Sequence, residues 1–177
     1  MLFAEHLIDI GLARDPDFII GGQADPYLYR WWLIPRNRLF NAYLHLFLRS
    51  DDDRALHDHP WANASILLRG EYTEHRIEHG GIHTRTLRRA GDWHIRPSGK
   101  IAHRVELTNG PCWTLFLTGP VYRRWGFHCP DQGWVHWEKF VGEDIGAVGR
   151  GCDQGILVLT SIGATNDRSK RDADVRA

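Results

Sequence analysis

The feature that most constrains this chain is a pair of histidines one residue apart, in His57-Asp58-His59. Side chains alternate between the two faces of a β-strand, so His57 and His59 project to one side and Asp58 to the other. A third histidine, His103, lies in a strand-like segment at residues 101–107, on a face that it shares with apolar residues. Neutral imidazole is the commonest ligand of Zn, Fe, Ni and Cu. The sequence therefore predicts that the three histidines bind one metal ion where the two segments meet.

Length and charge restrict the function classes. The 177 residues suffice for one domain with a substantial core. Lysine plus arginine equals aspartate plus glutamate at 22 each, so bulk charge favours neither a nucleic acid nor an acidic membrane as partner. No apolar stretch has the length needed to span a bilayer, and no basic segment followed by an apolar one stands at the start. We therefore expect a cytoplasmic protein.

The cysteines and tryptophans give two further expectations. Cys112, Cys129 and Cys152 are odd in number and far apart, which favours free thiols in a reducing compartment over a disulfide framework. Eight tryptophans are many for a chain of this size, and aromatic side chains of this kind line cores, pockets or subunit interfaces. Together with the sheet edges of a β-protein, they predict a homodimer.

The order of the segments predicts an all-β domain with a short leading helix. Residues 1–26 contain a modest helical pattern that ends before a Gly-Gly pair. Residues 27–150 contain about eight short strand-like runs separated by turn signals, which is typical of a sandwich or barrel. Within that range the chain is predicted to be irregular after Gly119-Pro120. Residues 151–177 are polar and charged towards the end, and they predict a loosely ordered tail.

Several other histidines are predicted to lie outside the site. His75, His79 and His83 fall on a hairpin whose alternating charges indicate a solvated face, so we expect all three to be exposed. His94 has the parity of charged neighbours and is predicted to face outward. The segment around His128 and Cys129 has no recognised zinc spacing, and we interpret it as a packing lid over the mouth of the barrel.

Two motifs resemble those of the cupin superfamily. The first cupin motif is HxH followed by Glu and Gly, and it is matched here by His57, His59 and Gly70, with Asn63 at the Glu position. The second is Gly, then PxG, then His, and it is matched with one additional residue before the His by Gly91, Pro97, Gly99 and His103. The resemblance implies a cupin-type double-stranded β-helix, or jelly-roll barrel.

Asn63 changes the ligand set that the resemblance implies. By strand parity Asn63 shares the face of His57 and His59, so it can reach the site, but an amide is a weak ligand or none. Three neutral ligands leave the charge of a divalent cation uncompensated, and such a centre has open positions that attract anions. We therefore expect a small anionic molecule as the partner.

Within the cupins, the string His-Asp-His-Pro-Trp and the later His-Arg-Val-Glu look like the thiol dioxygenases. That resemblance implies that the three histidines hold Fe(II) and that a thiol is oxidised to a sulfinate. It also implies a carboxylate-binding arginine, for which the choices are Arg30, Arg36 and Arg38. The Ser-x-His-x-Tyr string of that family is absent here. The chain is also similar to small uncharacterised cupin-like proteins of bacteria and their phages, which implies a fold and no reaction.

The residues expected to line the pocket beside the metal are Asn63, His45, Tyr43, Trp61 and Arg36. His45 has a hydrogen-bonded core position as its alternative. The predicted function is a metal-binding cupin and, as the finer hypothesis, a non-haem iron dioxygenase acting on a small molecule, with Fe(II) preferred by resemblance over Zn(II), Ni(II) and Mn(II). Two alternatives remain: a non-catalytic ligand-binding or structural module, and a zinc-dependent hydrolase or isomerase on the same histidines.

Overall fold

The computed structural model describes residues 2–51, 55–141 and 152. Within them the chain begins with helix α1 (Leu2–Leu12) and ends with the short helix α2 (Trp137–Val141). The strands between the helices are β1 (Phe18–Ile20), β2 (Leu28–Trp32), β3 (Asn41–Phe47), β4 (Leu56–His57), β5 (Asn63–Arg69), β6 (Glu71–Ile77), β7 (His83–Arg89), β8 (Trp93–Arg96), β9 (Arg104–Leu107), β10 (Cys112–Thr118), β11 (Gly126–Cys129) and β12 (Gly133–His136). The predicted all-β fold with a short leading helix is confirmed.

The strands pair in a nested order. β6 pairs with β7 as a hairpin, β5 pairs with β8, and β3 pairs with β10, all antiparallel. β4 meets the start of β9 through a bridge between His57 and His103. Successive pairs therefore alternate between two facing sheets, one ordered β1-β2-β3-β10-β5-β8 and the other formed by β12-β11-β4 beside β9-β6-β7. This nesting is the jelly-roll topology that was predicted.

Helix α1 covers part of the outer face of the six-stranded sheet. Its Leu7 and Ile8 belong to a buried cluster with Leu44 and Trp113. Gly11 brings the helix close to the sheet, because a Cβ at this position would stand 2.8 Å from the Leu44 side chain. The helix thus closes an apolar layer on the outside and leaves the inner face of the sheet to the barrel interior.

The barrel interior changes from apolar to polar along its length. At one end Leu67, Tyr72, Val105 and Cys112 form a buried apolar cluster. Towards the other end the buried residues are polar or charged: Asn63, Glu74, Arg96, His103 and Thr118. Buried polar groups cost free energy unless they are hydrogen-bonded, so their concentration at one end indicates a functional site there.

The segment after residue 120 was predicted to be irregular, but it forms the strands β11 and β12. β11 pairs with β12 on one side and with β4 on the other, so this hairpin extends the second sheet. Gly126 is required for the close pairing, because a Cβ there would lie 2.1 Å from the Val135 carbonyl oxygen. The strands are only four residues long and their apolar pattern is broken by Gly, His and Cys, which explains why the sequence pattern did not reveal them. The sequence pattern also did not reveal β1, which lies inside the predicted helical segment, because this strand has only three residues.

Cys129 and Cys152 form a disulfide, with their Cα atoms 5.4 Å apart. The expectation of free thiols was therefore wrong for these two residues, whereas Cys112 is a buried free thiol. The spacing along the chain gave no signal, because the pairing depends on where β11 places Cys129. The cysteines no longer favour a reducing compartment, and a cytoplasmic location stays a prediction. No helix of the described residues is long and apolar enough to cross a membrane. The rest of the predicted tail lies outside the described residues.

Two of the predictions about other histidines were wrong. His79 and His83 are exposed as expected, but His75 is buried, with hydrogen bonds to His83 (3.0 Å) and Glu106 (2.5 Å). Arg104 also donates a hydrogen bond to His75 Nε2, at 3.2 Å. His94 faces the interior, where its Nε2 accepts a hydrogen bond from Arg96 at 2.5 Å. His75 had been expected to be exposed because of the alternating charges of its hairpin, and His94 because it has the parity of charged neighbours in β8.

Candidate metal centre

The backbone holds the three predicted histidines together. His57 and His103 exchange two hydrogen bonds, each N–H donating to the other carbonyl at 2.9 Å, so their side chains leave the same face of the sheet. The His59 N–H donates to the Gly99 carbonyl at 2.9 Å. Gly99 lies so close that a Cβ there would stand 2.2 Å from the His59 carbonyl oxygen. Arg123 donates to that same oxygen at 2.9 Å and fixes the turn from outside.

The three imidazole rings converge on one point. Their ring centroids are 5.0 Å apart for His57 and His59, 4.6 Å for His57 and His103, and 5.1 Å for His59 and His103. One ligand nitrogen of each residue lies within 4.8 Å of the others, and among the described residues this is the only group of three such side chains. The two Nε2 atoms of His59 and His103 are 2.9 Å apart. Ligand nitrogens at about 2.1 Å from a cation stand about 3 Å apart, so His59 and His103 have the separation of two ligands of one ion, and His57 lies beside them.

Burial keeps these imidazoles neutral. The pKa of His57 is lowered by desolvation above all, with Arg96 adding to the effect and Asp51 opposing it. The pKa values of His59 and His103 lie well below the ordinary value, again because of desolvation first and neighbouring charges second. A neutral imidazole offers a lone pair, which is the form that binds a metal. The cluster is therefore ready to accept a cation at neutral pH.

These lowered pKa values make the stability of the metal-free protein depend on pH. Below about pH 6.5 the unfolded chain binds more protons at His45, His57, His59 and His103 than the folded protein, in which the pKa of each is lowered. The free energy of unfolding should therefore fall as the pH falls from 7 to 5, by up to about 1.4 kcal/mol per pH unit for each such histidine. Denaturant unfolding of the metal-free protein at several pH values measures this, and His59→Gln should give a shallower slope. A flat profile over this range would contradict the assignment.

A carboxylate lies behind His57. The Nδ1 atom of His57 is 3.5 Å from Asp51 Oδ2. The same oxygen accepts a hydrogen bond from the Val105 N–H at 2.6 Å, and Asp51 also accepts one from the Tyr27 hydroxyl. Ligand histidines commonly direct their outer N–H to a carboxylate, which fixes the ring and presents the other nitrogen to the metal. Asp51 lies on the side of His57 where such a carboxylate stands.

An arginine and a glutamate lie behind His103. Arg96 donates to His103 Nδ1 at 3.1 Å, and Glu74 Oε1 lies 3.6 Å from the same nitrogen. Because guanidinium only donates, Nδ1 is the acceptor here, and the ring proton lies on Nε2, towards His59. A cation at this point takes the place of that proton, and Glu74 is then the acceptor within reach of an Nδ1–H. The ring orientation of His103 is thus set from behind by two buried residues.

Glu74 and Arg96 form a buried ion pair that the sequence did not reveal. Their side chains are 2% and 5% exposed, and Arg88 donates to Glu74 as well, at 2.9 Å. Burial by itself would raise the pKa of Glu74, but Arg96 and Arg88 lower it. β6 and β8 lie in different sheets, so only the closed barrel brings these residues together. A charged residue two positions after the apolar Tyr72 was the one available signal.

Asn63 lies at the interior beside this pair. It is 4% exposed, and its Oδ1 accepts a hydrogen bond from Arg96 at 3.1 Å. Its oxygen is therefore committed to Arg96, whereas its Nδ2 has no partner among the described residues. The placement on the inner face agrees with the parity argument, and the orientation leaves the two Nδ2–H groups of Asn63 as donors without a partner among the described residues.

His45, Tyr43 and Arg30 form the wall on the side of β2 and β3. Arg30 Nε donates to His45 Nε2 at 2.9 Å, and its guanidinium lies 4.9 Å from the Tyr43 ring centroid. The His45 ring stacks on Phe116 at 5.2 Å, and Phe116 lies 6.0 Å from the His59 ring. Burial lowers the pKa of Arg30 to about 10, and no carboxylate of the described residues pairs with it. His45 is thus both a hydrogen-bonded interior residue and a link between Arg30 and the metal centre.

The two other predicted pocket residues lie at its margins. Trp61 is half-buried, and its indole N–H is buried without a partner among the described residues. Arg36 is exposed, with its guanidinium 5.2 Å from the Trp32 ring centroid. Arg30 is therefore the better placed of the arginines that the sequence offered.

Asp58 projects away from the metal centre, as strand parity required. It is 1% exposed and accepts hydrogen bonds from the Gly126 N–H (2.7 Å), Arg123 (3.0 Å) and the Trp134 indole (3.1 Å). Burial would raise its pKa, but hydrogen bonds from His128, Arg123 and the Gly126 N–H lower it to about 2. This carboxylate ties the histidine segment to the β11–β12 hairpin, so His128 belongs to an outer support of the site.

Comparison with known proteins finds distant structural similarity. No family model matches the sequence, and no curated protein matches it. Similar solved structures include oxalate decarboxylase of Bacillus subtilis, studied for its Mn(II) centres (18% identity, TM-score 0.46, 64% of this chain and 30% of that one). Another is Fe(II) HppE in complex with substrate, with 13% identity and a TM-score of 0.47 over 60% of this chain and 57% of that one. A third is a cupin-2 domain protein from Shewanella frigidimarina, with 12% identity and a TM-score of 0.41 over 51% of this chain and 78% of that one. The chain spans less than two thirds of the first two, and at this similarity no activity transfers to it.

Proposed function

We propose that this protein is a metal-dependent enzyme that binds a divalent cation on His57, His59 and His103 and acts on a small anionic molecule. The observation that carries the proposal is the convergence of three imidazoles, which no carboxylate of the described residues joins. Glu74 is held by two arginines, and Asp51 is held by the Val105 N–H and the Tyr27 hydroxyl. A cation on this trio keeps its full charge and favours an anionic ligand at its open positions.

Arg30 supports the anionic character of the substrate. It is a cation within the barrel wall, and its only polar partner among the described residues is His45. Desolvation lowers the pKa of Arg30, and the negative charge of an incoming carboxylate would stabilise the buried guanidinium. We infer that Arg30 binds the carboxylate of the substrate and thereby orients the other end of the molecule towards the three histidines.

Fe(II) is the cation that we prefer, with a thiol carboxylate as the substrate class. Bound iron would supply oxygen activation, and the protein would supply orientation through Arg30 and exclusion of water by the buried walls. The reaction adds both atoms of one O₂ to the sulfur of one thiol and yields a sulfinate. The finer statement rests on the sequence resemblance, since the geometry supports a divalent metal without naming it.

Oxygen uptake tests this proposal. Protein purified without an affinity tag and loaded anaerobically with Fe(II) should consume one O₂ per 3-mercaptopropionate or cysteine. Arg30→Met should raise KM by at least about tenfold with a smaller effect on kcat, because it removes a charge-assisted contact. Arg38→Met, at an exposed position, is the matched control and should leave KM unchanged.

Other outcomes would decide against the oxygenase. Zinc bound at one per chain with no dependence on oxygen would favour hydroxide chemistry on the same histidines. Iron bound in the site with no uptake for either thiol would favour a ligand-binding module.

A further inference from the structure

Two polar side chains of the barrel interior each have a buried polar atom without a hydrogen-bond partner among the described residues. They are Asn63, through Nδ2, and Thr118, through Oγ1. Asn63 is 4% exposed and Thr118 is 1% exposed, so solvent does not reach them freely. Buried donors without a partner are rare in folded proteins and call for an explanation. Because these two buried donors lie on neighbouring strands, we look for one explanation for both.

The two residues face each other across a strand pair. Asn63 on β5 and Thr118 on β10 are direct partners in the antiparallel register, and both lie on the inner face of the sheet. On its other side Asn63 is the register partner of Arg96 on β8. Partners in such a pair have Cβ atoms about 4.5–5.5 Å apart, a separation that one oxygen atom can bridge.

The orientation of the Asn63 amide is fixed by Arg96. Its Oδ1 accepts from Arg96 Nη1 at 3.1 Å, and the reversed amide would direct an NH₂ group at a guanidinium that only donates. Arg96 in turn donates to His103 Nδ1 at 3.1 Å. Arg96 thus contacts both Asn63 and His103, and Asn63 stands at the sequence position where the cupin motif has a carboxylate ligand.

We propose that Asn63 Nδ2 and Thr118 Oγ1 form a donor subsite that holds an oxygen atom of the metal-bound ligand. The proposal rests on the proposed metal site. The pair replaces the missing carboxylate by the opposite chemistry, since it gives two hydrogen bonds to an acceptor oxygen where a carboxylate would repel one. The ligand class is an anion bound through oxygen, such as a carboxylate, rather than one bound through nitrogen alone.

Ligand binding to the cobalt-loaded protein tests the subsite. Co(II) in the trio reports ligands by its visible absorption, and the two probes are acetate, which keeps an acceptor oxygen when bound, and pyridine, which keeps none. Thr118→Val should weaken acetate binding about five- to tenfold and leave pyridine binding within about twofold, as expected for one lost hydrogen bond. Thr73→Val, on the outer side of β6, is the matched control and should change neither.

Two further measurements separate this role from a structural one. The thermal midpoint of the metal-free Thr118→Val protein should equal or exceed that of the wild type, because the lost hydroxyl has no partner. Asn63→Asp keeps the acceptor for Arg96 and removes the donor, so cobalt should bind more tightly and acetate more than about tenfold more weakly. Equal loss of acetate and pyridine, or unchanged acetate binding in a variant with normal cobalt uptake, would overturn the subsite alone. Absence of cobalt uptake by the wild type would overturn the proposed function and the subsite with it.

Discussion

His57→Ala should reduce bound divalent metal from about one per chain to less than about 0.1, because two imidazoles are too few to hold a cation against water. His57 is supported from behind by Asp51, whose carboxylate lies 3.5 Å from its Nδ1. Removal of the His57 imidazole therefore takes away an oriented ligand and leaves the backbone pairing with His103 intact. Elemental analysis after dialysis against Fe(II), Zn(II), Ni(II) or Mn(II) measures the number of metal ions bound per chain.

The matched control for this experiment is His83→Ala. His83 is an exposed histidine on the β6–β7 hairpin. It is hydrogen-bonded to His75 and is not one of the three histidines of the metal centre. It should keep the wild-type metal content. Equal metal content in His57→Ala and the wild type would show that the cation binds elsewhere.

Glu74→Gln should destabilise the fold by about 3–5 kcal/mol, because it leaves buried guanidinium groups without a counter-charge. The carboxylate is 2% exposed and pairs with both Arg88 and Arg96. Arg96 also holds His103 and Asn63, so metal binding should weaken along with stability. Denaturant unfolding measures the free energy of unfolding of each protein.

Glu106→Gln is the control for this substitution. Glu106 is 44% exposed and pairs with His75 on the outer face, so its loss should cost about 0–1 kcal/mol. The pH dependence supplies a second check. The lowered pKa of Glu74 contributes stability that is present above the ordinary glutamate value of about 4.3 and is lost as pH falls through the lowered value in the folded protein. Equal stability of Glu74→Gln and wild type would show that the pair contributes nothing to the fold.

The sequence was sufficient to predict the trio, because period-2 alternation is a local property of strands. That rule placed His57 and His59 on one side, although β4 ends at His57 and the N–H of His59 bonds to Gly99; His103 was placed by the same parity and lies just before β9. Asn63 was placed on the right face by the same argument. The jelly-roll followed from the spacing of turns and from the resemblance of the motifs.

The residues that support the trio could not be predicted in this way. Glu74 and Arg96 come from strands of different sheets, and their meeting depends on barrel closure. The disulfide between Cys129 and Cys152 depends on the β11–β12 hairpin, whose short strands carry no clear periodic pattern. The homodimer stays a prediction for a similar reason, since it depends on a surface pairing that no local pattern encodes.

X-ray absorption spectroscopy of the metal-loaded protein tests the central claim most directly. The account predicts three imidazole nitrogens at about 2.1 Å from the ion, with oxygen atoms of water or a small anion in the remaining positions. A spectrum with oxygen ligands alone, without the outer-shell scattering of imidazole rings, would contradict it.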